Sequence, residues 1–261
     1  MEMFLVIAIL GAFAGFMSGM LGIGGGIIMA PLLLYVPEWL GFPPLPMRDV
    51  AGLTIVQGLV ACLSGAVTHN QFRFVSRSLT GWMGITIFIT ALTGGVAAGY
   101  VSNDILLTIF ALLALSAAVL MFIPAGAESE EPDVAGFSFS RLKAVSAAGA
   151  VGLLGGLVGQ GGSFLLIPLM TSFVEVPTRI AIGSNLAIVF LSSLAAFFGK
   201  ALTGQIVWPL TLPIILTVIP AAHFGSLLSR KVQVARLRTL LAILIALAAI
   251  RIGISAVQSF P

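Results

Sequence analysis

Charge is what this chain has least of. Its 12 Lys and Arg and 9 Asp and Glu make up 8% of 261 residues, where a soluble domain carries about 25%. With 59% hydrophobic residues and a mean hydropathy of +1.17, the sequence cannot cover a water-facing globule and is expected in a bilayer. The net charge of +3 is small and lies in loops, so no nucleic-acid partner is implied. Cysteine is nearly absent. Cys62 alone cannot close an intramolecular disulfide or build a multi-cysteine metal site, and it reads as a small apolar core residue. His69 and His223, with Lys200, stand near the ends of apolar runs and read as interfacial or hydrogen-bonded residues. No His, Asp or Glu cluster suggests a metal, and nothing implies a cofactor. The acids Glu2, Glu38, Asp49, Asp104 and Glu175, with those of a central acidic stretch, all sit in loops, at the chain start or at run boundaries. No carboxylate is placed to carry a proton through mid-membrane.

Long apolar runs are what the chain does have. Met3–Leu21, Val50–Val67, Leu79–Tyr100, Ile105–Ile123, Leu142–Val158, Ile180–Phe198, Val207–Leu228 and Leu237–Val257 approach or reach the roughly 20 residues that cross about 30 Å of hydrocarbon. Shorter apolar pieces cover Ile27–Val36 and Phe164–Val174. The first run lacks the basic flank of a signal peptide and is expected to be mature structure. Between the halves, AGAESEEPDVAGFSFS combines acids, proline and small residues and reads as a solvated linker over 124–140.

Glycine is abundant and patterned. Gly15, Gly19, Gly22, Gly24, Gly25 and Pro31 recur as Gly152, Gly156, Gly159, Gly161, Gly162 and Pro168, at a constant offset of 152 − 15 = 137. Downstream, Arg48, Gly52 and Thr54 realign with Arg179, Gly183 and Asn185 at 179 − 48 = 131, the first copy carrying a longer GFPPLP loop. The chain is therefore two related halves, 1–123 and 141–261, around the linker.

The basic loops set the topology. Arg73 and Arg77 follow the second long run of the first half, whereas Arg230, Lys231, Arg236 and Arg238 follow the third long run of the second. Equivalent loops thus carry opposite bias, the pattern of an inverted repeat. Inversion needs an odd number of passes per half. A chain reversal at each glycine cluster supplies the fifth, placing both basic loops in the cytoplasm and both termini outside. Were each broken segment one kinked crossing, the loop with four basic residues would be left outside. The expected fold is an all-α polytopic membrane protein, two halves in an inverted repeat, each with a glycine-broken helical hairpin.

An unwound stretch at membrane depth survives only where protein or a wet cavity receives its backbone groups. Glycine admits a ligand close to the backbone, and a helix starting beyond the turn directs N–H groups and partial positive charge at it. The clusters Gly24, Gly25, Gly26 and Gly161, Gly162, Ser163 are therefore candidates for lining an anion site. The outer pairs Gly15/Gly19, Gly152/Gly156 and Gly95/Gly99 fit close helix packing. A nucleotide P-loop is excluded, because Ile27-Ile28 and Ser163-Phe164 stand where Lys-Ser/Thr is required. Thr54 and Gln57 share one helix face. Asn185, at the repeat position of Thr54, has Ser184 beside it, and Gln160 sits inside the second break. These are further pathway candidates, with interhelical hydrogen bonding as the alternative. Arg48 and Arg179 open matched helices and are candidates for steering anions to each mouth, or else for snorkelling or binding loop carbonyls.

The glycine breaks ending in Pro31 and Pro168, the matched segments ArgAspValAlaGly (48–52) and ArgIleAlaIleGly (179–183), and the two-half architecture resemble the TauE/SafE family of sulfite and organosulfonate exporters, over nearly the whole chain. The resemblance implies an inner-membrane protein moving small sulfur-containing or carboxylate anions in either direction. Without a buried carboxylate, efflux is expected: an inside-negative potential is worth about 2.3 kcal/mol per charge per 100 mV to a departing anion. The alternatives are proton- or sodium-coupled uptake, and an intramembrane enzyme or assembly subunit. The enzyme lacks support, since no serine has a repeat-matched His or Asp. One chain can form a complete pathway, so a monomer suffices and a homodimer is compatible.

Overall fold

The computed structural model describes residues 2–21, 24, 26–70, 75–122, 137–159, 162–229 and 231–233, with isolated positions from 236 to 250. Nine α-helices are present among them: α1 Glu2–Leu21, α2 Gly26–Trp39, α3 Met47–Asn70, α4 Arg77–Ala97, α5 Asn103–Phe122, α6 Arg141–Val158, α7 Ser163–Ser172, α8 Thr178–Leu202 and α9 Trp208–Ser229. A 3-10 turn, Ala98–Tyr100, extends α4. No strand occurs among the described residues. Seven helices are long and apolar enough to cross a membrane, and they correspond to the first seven long runs. Most of the eighth run and most of the linker lie outside the described residues. Ser140, the linker's last residue, caps α6 by accepting from the Lys143 N–H.

The two short helices follow the glycine breaks. At 14 and 10 residues they span only about 21 and 15 Å, and each contains the matched proline, Pro31 or Pro168. In the second break, α6 ends on Gly159 at φ +72° and α7 begins after Gly162 at φ +72°. Both are left-handed conformations that cost a residue with a Cβ about 1–2 kcal/mol.

Close approach at small residues fixes how the helices pack. Side-chain carbons added at Gly11, Gly15 and Gly19 of α1 would meet Ile214, Val218 and Ala222 of α9 in turn. The contacts advance along both helices together, so α1 and α9 run in the same direction. By the same criterion α6 runs with α4, through Gly149–Thr86, Gly152–Ile87 and Gly156–Ala91. In like manner α3 runs with α9 (Gly52–Gln205, Ser64–Ile219), and α8 with α4 (Ser76–Ser184, Gly84–Leu191, Gly95–Ala196). A five-residue connection, 203–207, reverses the chain between α8 and α9. Hence α1, α3 and α9 point one way and α4, α6 and α8 the other.

These contacts come in pairs related by the sequence offsets. Gly15–Val218 has its counterpart in Gly152–Ile87, and Gly19–Ala222 in Gly156–Ala91, with 152 − 15 = 137 on one side and 218 − 87 = 131 on the other. Gly225–Phe16 and Gly94–Leu153 repeat the relation. So do the guanidiniums: Arg48 Nη2 donates to the Val101 carbonyl at 3.1 Å and Arg179 Nη2 to the Val232 carbonyl at 3.3 Å. Reciprocal exchange of the same contact between two halves is the signature of a twofold relation. At its centre α3 packs on α8, and α8 is buried along most of its length. Apolar side chains such as Leu5, Ile9, Ile85, Ile89, Leu216 and Ile219 face outward on the peripheral helices, where lipid rather than water suits them.

Candidate functional site

Both glycine breaks meet α3. The hydroxyl of Thr54 donates to the Gly159 carbonyl at 3.0 Å and to Ala51 within its own helix at 3.2 Å. A carbon on Gly159 would strike the Ala51 carbonyl, so only glycine lets the second break lie this close to the helix. One turn further along, a carbon on Gly58 would stand 3.4 Å from the Gly24 carbonyl oxygen and 3.5 Å from Ser193 Oγ on α8. Gly58 is 11 residues into α3 (58 − 47), about 16 Å from its start, which is mid-depth for a spanning helix.

Between these contacts lies Gln57. It is completely buried, and neither its Nε2 nor its Oε1 has a hydrogen-bond partner. Burying an amide unpaired costs on the order of 1–3 kcal/mol, a penalty with no structural return. Ser192 and Ser193 on the facing helix are likewise completely buried with unpartnered hydroxyls, as is Ser18 near the end of α1. Two of these unpartnered groups, the Gln57 amide and the Ser193 hydroxyl, lie beside the point where Gly24 approaches Gly58.

The remaining candidates are placed as follows. Gly24 and Gly26 are buried beside α3 and at the start of α2. Gly162 is buried against Val151 of α6, and Ser163 opens α7. Ser184 accepts from the Ser76 N–H at 2.9 Å, tying α8 to the start of α4, which is interhelical bonding. Asn185 is completely buried on the same helix. Gly25, Gln160 and Gly161 lie outside the described residues. Arg48 and Arg179 each bind a loop carbonyl, so part of each guanidinium is committed to holding the helix start. Cys62 is buried, as a small core residue should be. No group of His, Cys, Asp and Glu able to hold a metal occurs among the described residues.

Sequence reasoning missed Gly58, Ser193 and the burial of Lys200. Gly58 and Ser193 carry no local signal, since what distinguishes them is apposition to Gly24 across the fold. Lys200 has one: a Gly-Lys pair inside an otherwise apolar run. Its neighbour Gly199 packs on the α4 backbone at Val96 and Gly95, which draws the lysine inward and leaves it completely buried.

Comparison with known proteins places this arrangement in a family. A family described as "Sulfite exporter TauE/SafE" matches residues 7–252. A probable membrane transporter protein of Bacillus subtilis, YunE, is 25% identical over 253 residues, covering 88% of this chain and 90% of its own. The probable membrane transporter protein MJ0441 of Methanocaldococcus jannaschii is 20% identical over 247 residues, covering 90% of each. A probable membrane transporter protein of Xylella fastidiosa strain Temecula1 is 26% identical over 235 residues, covering 87% and 85%. No solved structure matches. The chain is a multi-pass membrane protein of the transporter class and belongs to the TauE/SafE family.

Proposed function

We propose that this protein exports a small sulfur-containing anion, such as sulfite, thiosulfate or an organosulfonate, binding it through backbone N–H groups of the two glycine turns. The observation that carries the reading is the approach of both breaks to one stretch of α3, residues 51–58, beside a buried Gln57 whose amide is wholly unpaired. An anion held there would take up that N–H and the serine hydroxyls, turning a cost into a charge-assisted contact. Gly24, Gly25, Gly26, Gly161, Gly162 and Ser163 form the turns in this reading. Thr54, Gln57, Gln160, Ser184 and Asn185 line or brace the path, and Arg48 and Arg179 attract anions to the two mouths.

The halves act as an inverted repeat across the inner membrane, with both termini outside. Support comes from the opposed directions of α1 and α6, of α3 and α8, and of α4 and α9. One end of the bundle then carries Arg77, Arg141, Lys143, Arg179 and Lys231 with Glu175, the other Glu2, Glu38, Asp49 and Asp104 with Arg48 and Lys200. The basic end is cytoplasmic by the positive-inside rule. The exposed Trp39, Tyr100 and Trp208 ring the outer end, and Trp82, covered by Arg141 at 5.2 Å, marks the inner one, as interfacial aromatics do.

The test is flux through purified protein in liposomes, with sulfite, thiosulfate, sulfoacetate and a carboxylate control under an imposed potential, with and without proton and sodium gradients. Potential-driven movement of a sulfur anion, abolished by Gly162→Leu, is the expected result. Accumulation driven by an inward proton or sodium gradient would replace export with coupled uptake, and no flux of any anion would end the transport reading.

A further inference from the structure

Lys200 is the one charged residue among the completely buried described residues. Its Nζ donates to the Leu157 carbonyl at 3.2 Å and to Gln205 Oε1 at 3.1 Å. Both acceptors are neutral. The ion pair found among the described residues, Lys143 with Glu175, lies at the surface, so no carboxylate of the described residues stands within 4.0 Å of Lys200. An unpaired ammonium in a membrane-spanning helix is costly and, where it occurs, marks an ion path.

Its position gives that charge an address. Leu157 lies two residues before Gly159, whose left-handed turn ends α6 and whose carbonyl is held by Thr54. Gln205 is in turn fixed by donating to the Gly95 carbonyl at 3.2 Å and to Thr203. The ammonium is therefore held on the rim of the second break by two uncharged acceptors. In the first half the repeat position of Lys200 is His69 (200 − 69 = 131), another basic residue.

We propose that Lys200 is the charge-compensating residue of the anion pathway, selecting small doubly charged oxyanions over singly charged ones. The proposal rests on the anion reading of the glycine turns. The Leu157 and Gln205 oxygens hold the ammonium while the site is empty, and an anion entering the second break replaces them as its partner. Neutralising the fixed charge should weaken a dianion about twice as much, in logarithmic terms, as a monoanion, because the Coulomb attraction scales with the product of charges.

The experiment compares thiosulfate with methanesulfonate flux at one potential in liposomes, for wild type, Lys200→Gln, Lys200→Arg and Gln205→Glu. The expected result is a thiosulfate-to-methanesulfonate ratio at least about tenfold lower in Lys200→Gln, equivalent to about 1.4 kcal/mol, and near wild type in Lys200→Arg. Gln205→Glu keeps the lysine and the fold but supplies a built-in counter-ion, so it should lower the ratio as well. A lysine that is only a structural clip would be strengthened by that carboxylate, and the ratio would stay unchanged. An unchanged ratio in Lys200→Gln or in Gln205→Glu, or a proportional fall of both anions, overturns the assignment while leaving the transport reading intact. Wild-type protein that moves neither anion overturns both.

Discussion

Thr54 and Gln57 sit one turn apart on α3, yet they invest their polar groups differently. Thr54 donates across the fold to Gly159, whereas Gln57 bonds nothing. Thr54→Val removes the donor and leaves a buried carbonyl unmet, and should lower stability in detergent by about 1 kcal/mol. Gln57→Leu removes a buried amide that has no partner. Thermal unfolding is expected at the same or a higher temperature, by up to about 1–3 kcal/mol, while liposome flux falls. A Gln57→Leu protein that unfolds at a clearly lower temperature would identify the amide as a structural group. The residue types at these positions were legible from their polarity inside apolar runs. Their division of labour was not, because it depends on which break carbonyl each reaches, a contact between residues 54 and 159 with no trace in local sequence. Ser184 illustrates the same limit, since its partner is the backbone of Ser76, 108 residues away.

Among the elements, the helix pairs built on glycine are where sequence and structure agree most directly. The spacing of Gly15 and Gly19, and of Gly152 and Gly156, reads as a packing face, and each residue abuts the backbone of a neighbouring helix. The short α2 and α7 were also legible, as the apolar pieces beyond the breaks, with their prolines. Glycine spacing does not tell which helix will be met. That α1 pairs with α9 and α6 with α4 is set by contacts between residues far apart in the chain, such as Gly15 with Val218 and Gly152 with Ile87. A matched penalty is the consequence. Gly19→Leu and Gly156→Leu drive a side chain into Ala222 and Ala91 respectively, and each should lower thermal stability by at least about 1–3 kcal/mol. Gly81→Leu, where a side chain would meet nothing within 4 Å, should leave it within about 0.5 kcal/mol of wild type. Unequal effects at the two matched positions would show that the halves do not share the packing load.

For the molecule as a whole, helix direction and charge argue from independent grounds toward one orientation. Direction comes from the order of contacts along packed helices; charge comes from the loops those helices join. Reversal at each glycine break is what makes them compatible. Since α1 and α3 point the same way, α2 must carry the chain back between them, and the basic loop after α9 then falls at the same end as the start of α4 and α6. Single cysteines in a Cys62→Ala background can read this orientation with a membrane-impermeant thiol reagent on intact cells. Leu40→Cys and Asp104→Cys, both at exposed positions of one end, should label. Ser138→Cys and Lys231→Cys, exposed at the other, should label only after the membrane is permeabilised. The reverse pattern would put the basic end outside against the positive-inside rule, while labelling of one residue from each pair would break the directional argument itself. In the expected orientation, Lys200 stands in the last turn of α8, at its outer end. A dianion drawn there from the cytoplasm moves with the potential, gaining about 4.6 kcal/mol per 100 mV, so export would need no second ion to drive it.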